Sequence, residues 1–128
     1  MMKLLICFTL FFFVSSCSIA NIETTKEGVL VDVYHYGFDI DRITGILEGE
    51  IEVLGCKYKI NISEFKKVLN LVEIKNNRYN EFDVRSKVIF GQELYFIDRE
   101  GFVKESSGGF YFLNKETFEG LLIFSSKC

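Results

Sequence analysis

The chain has no proline, no tryptophan and a single histidine in 128 residues. The lone His35 restricts chemistry first. A serine or cysteine nucleophile would need it as base, yet no Gly-x-Ser-x-Gly stretch is present, and the residues around His35 alternate as an ordinary Tyr-His-Tyr strand. There is also no phosphate loop, no dinucleotide fingerprint and no zinc-ligand spacing. Asp39-Ile40-Asp41 starts like a calcium loop, but Ile43 and Thr44 stand where a third oxygen and a glycine are required. Basic runs are missing as well. Residues 17–128 carry 14 basic and 18 acidic side chains, a net charge of −4 that disfavours sequence-independent binding to nucleic acid. No apolar stretch reaches the roughly 20 residues that span a bilayer. No cofactor, metal site or catalytic residue is therefore assigned, and the chain reads as a non-enzyme. Catalysis by carboxylates alone would need two acids facing one pocket, and nothing in the sequence singles out a pair.

The longest apolar run is Leu4–Val14, interrupted only by Thr9 and preceded by Met1-Met2-Lys3. A short positive segment, eleven largely apolar residues and then small residues make a cleavable export signal over 1–16. Val14-Ser15-Ser16-Cys17 resembles the lipobox of bacterial lipoproteins, with Val in place of the usual Leu. The resemblance covers the first seventeen residues only. It implies acylation of Cys17 and a periplasm-facing protein held at a membrane of the cell envelope by its N-terminal lipid. Ser18-Ile19-Ala20 offers a competing cleavage site, which would release a soluble periplasmic or secreted product.

Four cysteines are present. Cys7 lies in the signal and Cys17 is lipidated or removed. Cys56 and Cys128 remain as an even pair in an oxidising compartment, so we expect them to form a disulfide. Residues 17–27 are polar and lack periodicity, and read as a flexible tether to a single domain over 28–128.

Within that domain, Val29–Phe38 alternates as a strand, with Val29, Val31 and Val33 on one face and Leu30, Asp32, Tyr34 and Tyr36 on the other. Ile46–Val53 and Cys56–Ile60 form a hairpin if Leu54-Gly55 is a two-residue turn. That register faces Val53 with Cys56, Glu52 with Lys57, Ile51 with Tyr58 and Glu50 with Lys59. A helix then starts at Asn61, with Asn61 as N-cap, Glu64 three residues on, and Ile60 and Phe65 as a hydrophobic staple. Its apolar face continues through Val68, Leu69 and Val72, and Lys75-Asn76-Asn77 supplies a stop. Further strands are read at Val84–Phe90, Glu93–Asp98, Phe102–Lys104 and Phe110–Leu113. Asn114, Phe118 and Leu121-Leu122 repeat the pattern Asn61, Phe65, Val68-Leu69. Leu121–Phe124 reads as helix or buried strand. The expected fold is α+β, a mainly antiparallel sheet with one or two helices on one face, arranged as two βββα pseudo-repeats.

For function, export, tethering, a small stapled body and no catalytic constellation point to a protein-binding module of the envelope. Its most specific form is an immunity or inhibitor protein that neutralises a toxin or lytic enzyme. A structural or assembly lipoprotein is the alternative. The net acidity suits a basic protein partner. Two patches are candidate contacts: Asp32, Tyr34 and Tyr36 on the first strand, and Glu48, Glu50 and Glu52 on the expected hairpin.

Overall fold

A computed structural model describes residues 23–25 and 28–128. The export signal, Cys17 and most of the expected tether lie outside the described residues. Inside the tether stretch, β1 (Glu23–Thr25) pairs antiparallel with the start of β2 (Gly28–His35). The other strands are β3 (Cys56–Asn61), β4 (Asn70–Leu71), β5 (Val84–Phe90), β6 (Glu93–Asp98), β7 (Phe102–Glu105), β8 (Phe110–Phe112) and β9 (Ile123–Lys127). They form one antiparallel sheet in the order β4-β8-β7-β6-β5-β2-β3-β9, with β1 added beside β2. Three short helices accompany it: α1 (Ile51–Leu54), α2 (Ile62–Lys67) and α3 (Lys115–Leu121).

Alternation along each strand sorts the side chains onto two faces. On the first face, register aligns Tyr58, Val33, Val88 and Tyr95 across four strands. α2 and α3 cover this face. Their Phe65 and Phe118 are both fully buried, and their ring centroids lie 5.9 Å apart. Each helix starts where the sequence placed it. The Asn61 side chain accepts from the Glu64 N–H at 3.1 Å, and Asn114 accepts from the Thr117 N–H at 3.0 Å. Replacing either Asn by Ala should cost about 1 kcal/mol, read as a lower urea midpoint. An unchanged midpoint in both variants would mean the caps carry no weight. α2 ends at Lys67 rather than continuing to Val72, because the chain turns out at Val68 to form β4 on the far edge of the sheet.

The second face is also covered, and here the expected hairpin is corrected. Ile51–Leu54 is helix α1, not strand. Ile51 is fully buried and Leu54 half-buried, while Val53 between them is 84% exposed. That is a three-residue period, and it drives Ile51 into a second core cluster with Ile46, Val84 and Phe96. β3 takes its hydrogen bonds from β2 and β9 instead. The first half of the chain is thus strand-helix-strand-helix. The repeat is confined to the two strand–Asn–helix junctions and does not extend to whole βββα units. The α+β class and the antiparallel sheet are as expected; a third helix on the opposite face is the addition.

The second half follows the sequence closely, with all four strands within a residue or so of the expected bounds. Gly101 closes the β6–β7 turn at φ +97°, and a Cβ there would lie 2.7 Å from the Leu113 carbonyl oxygen, so the turn requires glycine. Leu121–Phe124 divides between the two readings: helix through Leu121, strand from Ile123. Cys56 and Cys128 are joined as a disulfide that ties the last residue to β3.

Candidate functional site

Of the six expected contact residues, three sit on β2 and just beyond it. Asp32 forms ion pairs with Lys59 at 2.7 Å and Lys57 at 3.8 Å. Tyr34 and Tyr36 are partly buried against the second core cluster. Arg42 and Arg85 stand over the Tyr36 ring, 5.2 and 5.4 Å from its centroid. The three glutamates do not share a strand face. Glu48 and Glu50 lie in the loop before α1, and Glu52 lies in the helix. Nor do they pair with Lys57 and Lys59. Across the second face, register lines up Lys57, Tyr34, Lys87, Phe96, Lys104 and Phe110. Glu52 meets Lys87 at 2.8 Å, and Glu48 meets Lys104. Tyr79 also donates to Glu48 at 2.8 Å; burial, then the Glu48 carboxylate, pushes its phenol well above the ordinary tyrosine range. The Glu50 carboxylate accepts from the Leu47 N–H at 3.1 Å. Four of the six, Tyr34, Tyr36, Glu48 and Glu52, thus hold α1 and its loop against the sheet, Glu50 braces the loop itself, and Asp32 links β2 to β3.

His35 is buried on the first face, where Phe38, Tyr58 and Phe118 surround its ring. Its Nδ1 lies 2.8 Å from Ser86 Oγ and its Nε2 lies 3.2 Å from a Glu119 carboxylate oxygen. The order serine–histidine–glutamate has the parts of a charge-stabilised nucleophile, but the exposure is reversed. Ser86 is fully buried, and the Glu119 side chain is 41% exposed. A nucleophile must meet substrate, and nothing reaches this hydroxyl. The chain of hydrogen bonds clamps α3 to β2 and β5.

Burial lowers the His35 pKa below its ordinary 6.5, and the contact with Glu119 only partly offsets this. The neutral ring then donates from Nε2 to Glu119 and accepts from Ser86 at Nδ1, a tautomer assigned from the network. Unfolding restores the ordinary value, so below pH 6.5 the unfolded chain binds the proton first. Stability should be full above pH 6.5 and fall as pH drops toward the lowered folded value. His35→Gln should flatten the dependence of the urea midpoint between pH 7.5 and 5; an equal slope in both proteins would contradict the assignment.

A third region was not signalled by any motif. Loops 37–50 and 77–83 meet at one end of the sheet. Gly45 lets them touch: a Cβ there would lie 1.7 Å from the Phe82 carbonyl oxygen. The Val84 N–H donates to the Ile46 carbonyl at 2.7 Å beside it. Buried Arg85 donates to the carbonyls of Gly37 and Ile40 and pairs with Asp83 at 2.8 Å. Buried Asp98 accepts from the N–H groups of Asn80, Glu100 and Phe102, each at 2.9 Å. Asn77 and Asn80 accept from Tyr79 and Phe82 within their own turns. Upon this rigid base Ile43, Phe82 and Leu47 face solvent, 106%, 64% and 46% exposed. Leu47 and Phe82 wall a cleft of about 240 Å³. The one trace of it in the sequence is Phe82 itself, an aromatic set among Asn and acidic residues.

Among the described residues, no cluster of three ligating side chains could hold a metal ion, and no helix is long and apolar enough to cross a membrane. Comparison with protein-family models, with curated proteins and with solved structures gives no match.

Proposed function

We propose that this chain is a small protein-binding module of the cell envelope, exported and held at the membrane by lipid on Cys17, and without catalytic activity. Its most specific form is an immunity or inhibitor protein that caps a toxin or lytic enzyme. The observation that carries the reading is the exposed apolar pair Leu47 and Phe82, which wall one cleft, with the exposed Ile43 in the same loop as Leu47. Water-exposed apolar side chains on a pre-ordered backbone lose little entropy on binding, and exposed apolar surface rimmed by polar groups is typical of protein contacts. The Cys56–Cys128 bond supports export, since such bonds persist in oxidising compartments. An envelope assembly role is the second reading. It is favoured by β9, which among the described residues pairs only with β3 and exposes Ile123 and Phe124 on a sheet edge open to strand addition.

A photo-crosslinking amino acid placed at Phe82, at Phe124 and, as control, at Glu64 on α2 separates these readings in living cells. The immunity reading expects one toxin or lytic enzyme crosslinked from Phe82, and cells lacking the gene to become sensitive to that effector. An envelope-assembly component crosslinked from Phe124, with no change in sensitivity, would replace it by the second reading.

A further inference from the structure

We infer that the cleft between Leu47 and Phe82 receives an arginine side chain of the partner protein. The inference rests on the protein-binding reading and adds the chemistry of the contact.

Size comes first. At about 240 Å³ the cleft is smaller than most small-molecule sites, and suits one long side chain. Its walls come next. Leu47 and Phe82 are apolar and largely exposed, and Glu48 and Glu81 stand at the rim. Glu48 is already engaged by Lys104 and Tyr79. The Glu81 carboxylate accepts no hydrogen bond and forms no ion pair among the described residues. Glu81 is exposed to solvent, and a group that offers an apolar stem to Leu47 and donors to this carboxylate matches the cleft best. Phe82, the next residue, lines the same cleft and supplies an aromatic side chain. A guanidinium is planar, weakly hydrated, stacks on rings and donates in a fork to a carboxylate. An ammonium is more strongly hydrated and lacks the flat face, so lysine fits less well.

The wider field agrees. Residues 37–50 and 77–83 hold Asp39, Asp41, Glu48, Glu50, Glu81 and Asp83 against Arg42 and Arg78. Residues 28–128 as a whole hold 16 acids and 13 bases. Arg99, Lys104 and Arg85 pair with Asp41, Glu48 and Asp83, which leaves Asp39, Glu50 and Glu81 against Arg42 and Arg78, an excess of one negative charge at this end of the sheet. That small excess, with the unpaired Glu81 beside the cleft, favours a cationic over an anionic group there. Arg42 does not fill the site, being turned onto the Tyr36 ring with its Nε donating to the Thr44 carbonyl.

The test titrates N-acetyl-arginine amide into ¹⁵N-labelled protein isolated in its exported form. The citrulline analogue, which has the same shape and no charge, runs in parallel. A ligand of this size should bind with a dissociation constant on the order of 1 mM. Saturable shifts are expected at the amides of Leu47, Glu81 and Phe82, with citrulline at least five-fold weaker. Glu81→Gln, an exposed change that leaves the fold intact by its own spectrum, should weaken the arginine compound by a similar factor. No saturable shift at those amides, or equal shifts from the two compounds, overturns the inference. Two crossed outcomes separate it from the reading beneath it. If a partner crosslinks at Phe82 but its binding is unchanged by Glu81→Gln, the arginine cleft is wrong and the module stands. If arginine binds as expected but no protein crosslinks at Phe82, the cleft stands and the module reading falls.

Discussion

Replacing Gly45 by alanine should destabilise the protein by about 3 kcal/mol or more, at or above the upper end of the usual cost of overpacking, because the added atom meets fixed backbone. The added carbon would lie 1.7 Å from the Phe82 carbonyl oxygen, well inside any van der Waals contact, so one of the two loops must move. Neither is free to do so. The 77–83 loop is held by Asp98, Asn77 and Asn80, and the 37–50 loop by Arg85. Parting them also breaks the bond from the Val84 N–H to the Ile46 carbonyl. That bond seals Ile46, a fully buried member of the second core cluster. The transition temperature should fall by at least about 12 °C for a domain of this size. Gly49→Ala is the matched control, because a Cβ there meets nothing within 4 Å; it should change stability by no more than about 0.5 kcal/mol. A Gly45→Ala protein as stable as the control would show that the loops part without cost. The same substitution displaces Phe82, so binding at the loop face should be lost even in molecules that remain folded.

The contrast between the two halves of the chain shows what was legible. In the second half, strands of three to seven residues rich in apolar and aromatic side chains are separated by glycine-bearing turns, so local pattern and final structure coincide. In the first half, Glu50-Ile51-Glu52-Val53 alternates as well as any strand. It folds as a helix because a single residue, Ile51, has a cavity to fill on the second face of the sheet. A four-residue helix is too short to reveal its period, and β-branched residues favour the wrong choice. That error carried the glutamates with it. The strand register pairs Glu52 with Lys57 and Glu50 with Lys59; in the structure Glu52 reaches Lys87 and Glu48 reaches Lys104, on strands that follow them in the chain by dozens of residues, and Glu50 turns back to the Leu47 N–H. The helix caps at Asn61 and Asn114 were readable because a cap is made within four residues. The His35 clamp was not, since Ser86 and Glu119 lie 51 and 84 positions away. The loop face fails for a related reason. Its exposed apolar residues carry no periodicity, and only the contact of Gly45 with Phe82 brings them together.

Changing both Cys56 and Cys128 to serine should cost on the order of 4 kcal/mol, from the loop entropy that a 72-residue separation returns to the unfolded chain. That is most of the margin of a small domain, whose total lies at about 5–10 kcal/mol. The urea midpoint should therefore fall by about 2 M, and a midpoint unchanged within experimental error would refute the structural role of the bond. The damage should also be local. β9 is an edge strand paired only with β3 among the described residues, and its exposed Ile123 and Phe124 contribute little burial to hold it. Without the bond, amide hydrogen exchange should rise first across Ile123–Ser125, while Val88 and Ile97 in the centre of the sheet change only with global stability. The effect should then reach α3, which is joined to β9 by Leu122 alone. As the end of α3 frays, Glu119 leaves His35, and the attraction that partly offsets the cost of burying its charge is lost. The folded pKa of His35 then drops further. Stability of the double variant should consequently fall more steeply than that of the native protein as the pH is lowered below 6.5. Parallel pH profiles in the two proteins would show that the disulfide and the His35 clamp act independently.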